Sequence, residues 1–338
     1  MKQVVVLATG GTIASAHNAE GDAVAALPGI DLLRSVTIPA DVQVRVEQLF
    51  QLNSFNLSPA DMAQIVARVQ QVLSDPEVCG CVVVHGTDTM EETGFFLSLF
   101  LDSPKPVILT GAQRSPTDPA PDGVRNLQNA ITVAADDRSR GLGALIVFDG
   151  EIWAVPATRK VDTLSSAAFD SPHGPVGSVL GGEVILNRQP TRHPLFSLQK
   201  LSMNALPHAL PRVDIVPCYP GADTVAMDAV VAAGASGLVI EGMGAGNPGR
   251  DVVQALVPLL AAGMPVVLTS RVAAGRSAGI YGGGGGGELV RYGAVLGGLF
   301  RAPQLRILVM AALGTTDSPE SARAALTHFL TPTHTQHE

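Results

Sequence analysis

The chain is short of charge. Only 15% of its 338 residues are Asp, Glu, Lys or Arg, against roughly 25% in an average globular protein, which leaves surface for a large core and for contacts between subunits. The 22 basic and 30 acidic residues give a formal −8 and contain no basic run that could track a phosphate backbone, so nucleic acid is excluded as an expected partner. Long apolar runs are also missing. The longest, Ala255 to Leu268, is broken by Pro258, Gly263 and Pro265 and falls short of the roughly 20 residues a membrane helix needs. Cysteine is scarce: Cys79, Cys81 and Cys218 leave an odd thiol, and the first two bracket Gly80 beside an apolar strand. They read as reduced strand residues rather than a disulfide or a metal pair. No two histidines stand at the i, i+4 spacing of a helical zinc site, so no metal is expected. Met1 and Lys2 lead straight into Val4-Val5-Val6-Leu7 with no cleavage site after a long apolar stretch, and a cytoplasmic location is expected.

What is abundant is apolar residues, 46% of the chain, arranged in short runs that alternate with segments of helical period. That alternation predicts a parallel sheet with helices on both faces. Val4 to Ala8, Cys81 to Val84, Val107 to Thr110 and Leu145 to Phe148 read as strands. Pro59 to Leu73 reads as a helix capped by Ser58, with proline at its first position, and Glu91 to Phe100 repeats the pattern. From residue 191 to 212 periodicity gives way to Pro, His, Ser and Arg, as in a linker. A doubly wound α/β domain over 1–190 and a smaller α/β domain over 213–338 follow. Inside the second, Gly282 to Gly287 is an uninterrupted hexaglycine, expected to be a mobile loop because glycine loses most backbone freedom on ordering.

Two segments carry chemistry. The first strand runs into Thr9-Gly10-Gly11-Thr12-Ile13-Ala14, at the carboxyl end where open α/β sheets place ligands. The glycine pair admits a substrate close to the backbone and offers amide hydrogens for a developing oxyanion. A dinucleotide turn of T-G-x-x-x-G-x-G type competes, but Ala14 and Ala16 stand where its later glycines belong. The second segment, His85-Gly86-Thr87-Asp88-Thr89-Met90-Glu91-Glu92, again ends a strand and opens a helix. Helix capping by Thr87 or Asp88 with Glu91 is one reading. The other is a threonine hydroxyl activated by a lysine that a carboxylate orients, with Lys160 the candidate. His85, closing a buried strand, reads as a satisfied structural donor.

These segments resemble the signatures of the bacterial-type L-asparaginases. Thr110-Gly111-Ala112-Gln113-Arg114, Asp122-Gly123 with Asn126-Leu127, Lys160 and Ser270-Arg271-Val272 extend the likeness over nearly the whole chain. The resemblance implies a larger flavodoxin-like N-terminal domain and a smaller α/β domain, assembled as a homotetramer of two intimate dimers. It implies hydrolysis of asparagine's side-chain amide to aspartate and ammonia without a cofactor, with glutamine as a secondary substrate. It makes Thr12 the nucleophile, Thr87, Asp88 and Lys160 an activating set, and Gly11, Ser54, Gly86, Ala112, Asn247, Tyr281 and Glu288 substrate-binding residues. Many members place a tyrosine after the nucleophile, whereas Ala16 to Ala26 contains none; Tyr281, beside the hexaglycine, is the candidate for a substitute phenol, with a loop anchor as its other reading, and Phe55 and Ala245 replace polar residues of relatives. A weakened, amino-acid-binding relative is the alternative. An amidotransferase subunit acting on aminoacyl-tRNA is disfavoured by the negative charge.

Overall fold

A computed structural model of the chain describes residues 1–17, 22–25, 29–190 and 210–331, in two compact units, Met1–Arg192 and His193–Glu338. Of the expected linker, only 210–212 falls among the described residues.

The first unit is built on an eight-stranded sheet. Strands β2 (Ser15–His17) and β3 (Ala23–Ala25) form a small pair of their own, and five strands of the large sheet are parallel: β1 (Lys2–Gly10), β4 (Val42–Leu52), β5 (Val78–Val84), β6 (Val107–Thr110) and β7 (Ala144–Phe148), side by side in the order β4-β1-β5-β6-β7. Counted along the chain this is 2-1-3-4-5, the flavodoxin order. Residues Val4 to Leu7 and Cys81 to Val84 are 0% exposed, because helices cover both faces and a parallel strand has no polar side to show. Helix α3 (Gly123–Ala135) packs Leu127, Ala130 and Ile131 on Val4, Val6, Val82 and Val84. Helices α1 (Pro59–Ser74) and α2 (Met90–Phe100) pack on each other. Gly94 of α2 lies close to Leu109 of β6, whose alternation puts it on the face opposite α3. Ser58 caps α1 through a reciprocal box with Asp61, and Pro59 holds the first position.

Strand β4 and the antiparallel edge formed by Glu151–Ala154, Gly177–Leu180 and Glu183–Leu186 were not expected. The alternation Val42-Gln43-Val44-Arg45-Val46 was a readable strand signal. The short edge strands carry too few residues to show a period.

The second unit has a four-stranded parallel sheet of Val213–Pro217, Gly237–Gly242, Val266–Ser270 and Val295–Leu296. Helices Val225–Ala232, Arg250–Ala261, Ala302–Thr315 and Pro319–Leu330 accompany it. The hexaglycine corrects the expectation of a loop throughout: Gly286 and Gly287 open a short helix, Gly286–Arg291, and Gly284 to Gly287 are buried. A Cβ on Gly284 would stand 2.7 Å from the Arg250 nitrogen, and one on Gly285 2.5 Å from the Tyr281 carbonyl oxygen. The glycines are there because backbone meets backbone, not because the segment must be a free spacer.

Candidate active site

Strands β1 and β5 are neighbours at the point where the strand order reverses, and Ala8 pairs with Val84 at their carboxyl ends. The chain therefore leaves the sheet twice at adjacent places, the switch point where doubly wound folds hold ligands. Gly11, at φ 85°, lies so close to Gly86 that a Cβ would fall 2.6 Å from the Gly86 nitrogen. A Cβ on Gly86 would in turn fall 2.5 Å from Ser54 Oγ. Three expected residues, Gly11, Gly86 and Ser54, are thus packed in one line. Thr89 Oγ1 ties the third to the second turn by donating 3.0 Å to the Ser54 carbonyl.

After Gly86 the chain makes a single 3-10 turn, Thr87–Thr89, before α2. Neither Thr87 nor Asp88 caps a helix with its side chain, which removes the capping-box reading. Lys160 Nζ donates instead to Thr87 Oγ1 at 2.9 Å and to Asp88 Oδ1 at 2.8 Å. The lysine side chain is 16% exposed and the aspartate 52%, so Asp88 keeps a face open to solvent. Thr87 donates its own proton to Gln113 Oε1 at 2.9 Å. The Gln113 amide nitrogen donates to the carbonyls of Thr163 and Ser165, which fixes which end of the amide Thr87 meets. Asp162 steadies that loop by accepting from the Leu164 and Ser165 amides, bonds that hold its carboxyl below the usual range.

Ala112 is 1% exposed, in the loop after β6. Asp122 accepts from the Gln113 and Arg114 amides, and Asn126 donates to the Gly111 carbonyl. The Asp122-Gly123 and Asn126 positions therefore hold the loop that carries Ala112 and Gln113.

Thr12 is the first residue of a 3-10 turn, Thr12–Ala14, and is half-buried. Among the described residues its hydroxyl has no hydrogen-bond partner. The Gly11 amide donates to the Leu52 carbonyl at 3.0 Å, which corrects the expectation that it is open to an oxyanion. His85 is fully buried, with Nδ1 2.7 Å from the Gly86 carbonyl and Nε2 2.9 Å from Thr93 Oγ1. Burial pushes it down to about 4, so at neutral pH it is an uncharged structural group.

Two residues escaped the reading of the sequence. Gln113 carries no signal apart from its place in the Thr110–Arg114 segment. Glu91 appeared only as half of a cap, yet it is buried and accepts from the Lys160 amide at 2.6 Å.

In the second unit, Asn247, Tyr281 and Glu288 gather at the glycine run. Asn247 Oδ1 accepts from Gly286 N at 3.1 Å and Glu288 Oε2 from Gly284 N at 2.9 Å, while Tyr281 is 55% exposed. The three cysteines are free thiols, and burial pushes Cys218 up to about 11. Among the described residues no group of His, Cys, Asp and Glu is arranged to hold a metal, and no helix is long and apolar enough to cross a membrane.

A flavodoxin-order sheet whose switch point carries hydroxyl, amine and carboxylate in hydrogen-bond contact defines an α/β protein equipped for acyl-transfer chemistry. The chain belongs to the asparaginase family. Residues 3–192 match the model of the asparaginase N-terminal domain, and residues 212–326 that of the glutaminase/asparaginase C-terminal domain. It is 34% identical to a probable L-asparaginase of Deinococcus radiodurans over 97% of this chain and 98% of that protein. To a glutaminase-asparaginase of Pseudomonas aeruginosa it is 36% identical over 81% of this chain and 77% of that one. The crystal structure of a probable cytoplasmic L-asparaginase from Campylobacter jejuni superposes with a TM-score of 0.83 at 28% identity, covering 98% of this chain and all of that one.

Proposed function

We propose that the chain is an L-asparaginase that hydrolyses the side-chain amide of asparagine to aspartate and ammonia through two threonines, with glutamine as a secondary substrate. The observation that carries this reading is the contact of Lys160 Nζ with both Thr87 Oγ1 and Asp88 Oδ1, on the turn whose Gly86 lies against Gly11, the residue before a Thr12 whose hydroxyl has no hydrogen-bond partner among the described residues. The solvent-facing side of Asp88 receives the substrate ammonium, a charge-assisted pairing suited to an amino acid. Ser54 binds the α-carboxylate and the Ala112 carbonyl meets the amide NH2. Thr12 Oγ adds to the amide carbon, and its proton leaves with the departing nitrogen as ammonia. Lys160, once it has released a proton, draws one from a water through Thr87. The resulting hydroxide adds to the Thr12 ester carbon, the bond from that carbon to Thr12 Oγ breaks, and the hydroxide's remaining proton passes to Thr12 Oγ as aspartate leaves with an ionised side chain. No step calls on a cofactor.

Asn247, Tyr281 and Glu288 belong to this reading as substrate-side residues on the glycine run. The domain limits 1–190 and 213–338, with a linker over 191–212, belong to this reading, and the family matches over 3–192 and 212–326 support it. A homotetramer, a dimer of dimers, is supported by the low charge and by exposed apolar side chains such as Leu164 and Ile280. A cytoplasmic location is supported by the naming of the Campylobacter protein.

The test is ammonia release from asparagine and glutamine by the parent, Thr12→Ala and Thr87→Val. Loss in both variants is expected, by about 10³-fold or more. Full activity in either removes the role assigned to it. A parent that binds asparagine but releases no ammonia is the binding protein instead.

A further inference from the structure

Helix α2 opens on two carboxylates, and Glu91 is turned inward. It is 8% exposed, and burial pushes it up to about 7. Glu92 adds to that rise, while the Lys160 amide and the charges of Arg159 and Lys160 oppose it. The mechanism above gives Glu91 no task. A carboxylate is removed from water only where something in the fold answers it, and here it is the main chain of Lys160, 69 residues away in sequence.

The segment that carries Lys160 is tied down on both sides of the lysine, and Glu91 takes the one main-chain donor of Lys160 itself. Its strand is two residues long, Arg159–Lys160, paired with Phe169–Asp170. The Val161 amide donates to the Ala168 carbonyl, but the Lys160 amide donates to Glu91 Oε2 at 2.6 Å. Three residues upstream, buried Ala157 sits at φ 64°, a left-handed conformation that an L side chain adopts only when its surroundings impose it. The Thr158 amide closes this turn on the Val155 carbonyl. The tight bend, the short strand pairing and the strut from the Lys160 amide to Glu91 together set where the lysine side chain starts, and the ammonium reaches Thr87 and Asp88 at the other end.

We propose that Glu91 is the positioning residue for Lys160: its buried carboxylate clamps the Lys160 backbone and thereby keeps the ammonium between Thr87 and Asp88. The proposal rests on the asparaginase reading. It makes Glu91 a determinant of turnover more than of substrate affinity, because Ser54 and Ala112 lie on other segments and Asp88, though it pairs with Lys160, keeps its solvent-facing side for the substrate ammonium.

The experiment compares the parent, Glu91→Ala and Glu91→Gln in steady-state ammonia release from pH 5.5 to 8.5, with circular dichroism to establish folding. Glu91→Ala is expected to lose about a hundredfold in kcat, the cost of an ångström-scale misplacement, with KM within about threefold. Glu91→Gln keeps an oxygen that can accept the same N–H, and is expected to hold kcat within about fivefold of the parent. The parent kcat falls by a step of similar size as pH drops through about 7 and the carboxylate takes up a proton; Glu91→Gln lacks this step. A folded Glu91→Ala with the parent kcat overturns the proposal, and so does Glu91→Gln falling as far as Glu91→Ala. Should Glu91→Ala not fold, Glu91→Gln decides: a retained plateau without the step supports the clamp, and a persisting step overturns it. An active parent with unaffected variants defeats the clamp alone, whereas a parent that releases no ammonia defeats the asparaginase reading and the clamp with it.

Discussion

At the end of β1 the chain turns through Gly10 and Gly11, both at positive φ, and Thr12 emerges with a hydroxyl that no described residue engages. At the end of β5 the turn passes through Gly86 at φ −70°, and Thr87 emerges held from two sides, by Lys160 and by Gln113. The strands are neighbours in one sheet, and each turn presents a threonine at the start of a 3-10 turn. What differs is the supporting shell. A hydroxyl without internal partners can move toward an incoming carbonyl, whereas one fixed by a lysine and an oriented amide can only relay a proton. Two similar turns thereby take different chemical parts.

The comparison breaks hardest at the second turn. Lys160→Met removes the amine behind Thr87 while keeping its stem, and kcat for ammonia release is expected to fall about 10³–10⁴-fold. Combining it with Thr87→Val should cost little more, because groups that act as a unit are not additive. Gly11→Ala strikes the junction between the turns: at φ 85° with a Cβ 2.6 Å from the Gly86 nitrogen, backbone has to move. We expect a loss of about 1–3 kcal/mol from the conformation alone, seen in a thermal melt as about 2–4 °C per kcal/mol. Gly86→Ala has an ordinary φ and would meet the Ser54 side chain, so its main expected effect is a raised KM for asparagine. Gln113→Ala frees the Thr87 proton from its acceptor, making the second turn more like the first. A loss of about tenfold in kcat is expected, from the looser hydroxyl.

The smallest effects lie in the pH dependence of stability. Folded His85, pushed down to about 4 from a reference of 6.5, contributes stability that is fully present above 6.5 and lost as pH falls through about 4. Glu91, raised to about 7 from 4.5, has the opposite sign: its contribution is present below 4.5 and lost as pH rises through about 7. Melting temperatures of His85→Asn and Glu91→Gln against the parent, from pH 4 to 8, read the two separately. His85→Asn should flatten the decline toward acid, and Glu91→Gln the decline toward neutral pH.

Much of the first unit was legible because buried parallel strands leave near-continuous apolar runs and helices leave a 3.6-residue period. Helix α1, with its Ser58 cap and Pro59, lies where the sequence puts it, give or take a residue. The three-residue strands at Ser15–His17 and Ala23–Ala25, the antiparallel edge and the two-residue strand carrying Lys160 leave no periodic trace. Gln113 was invisible because an amide in a loop shows no pattern until the carbonyls that orient it are known. Glu91 was read as a cap because a carboxylate in a helix's first turn commonly serves there, and only its burial tells otherwise. The hexaglycine misled for a related reason, since composition reports freedom of the backbone and not the neighbour that fills the missing side chain's space.

The sequence by itself determined the alternation of strands and helices, the two strand-ending turns and the residue types they offer, because these depend on neighbours a few positions apart. Only the tertiary structure decided that Gly11 touches Gly86, that a lysine 72 residues beyond Asp88 reaches it, and that Glu91 is buried while Glu92 beside it is only partly so. Such contacts arise where the sheet's strand order brings distant segments together, and nothing local in the chain records them.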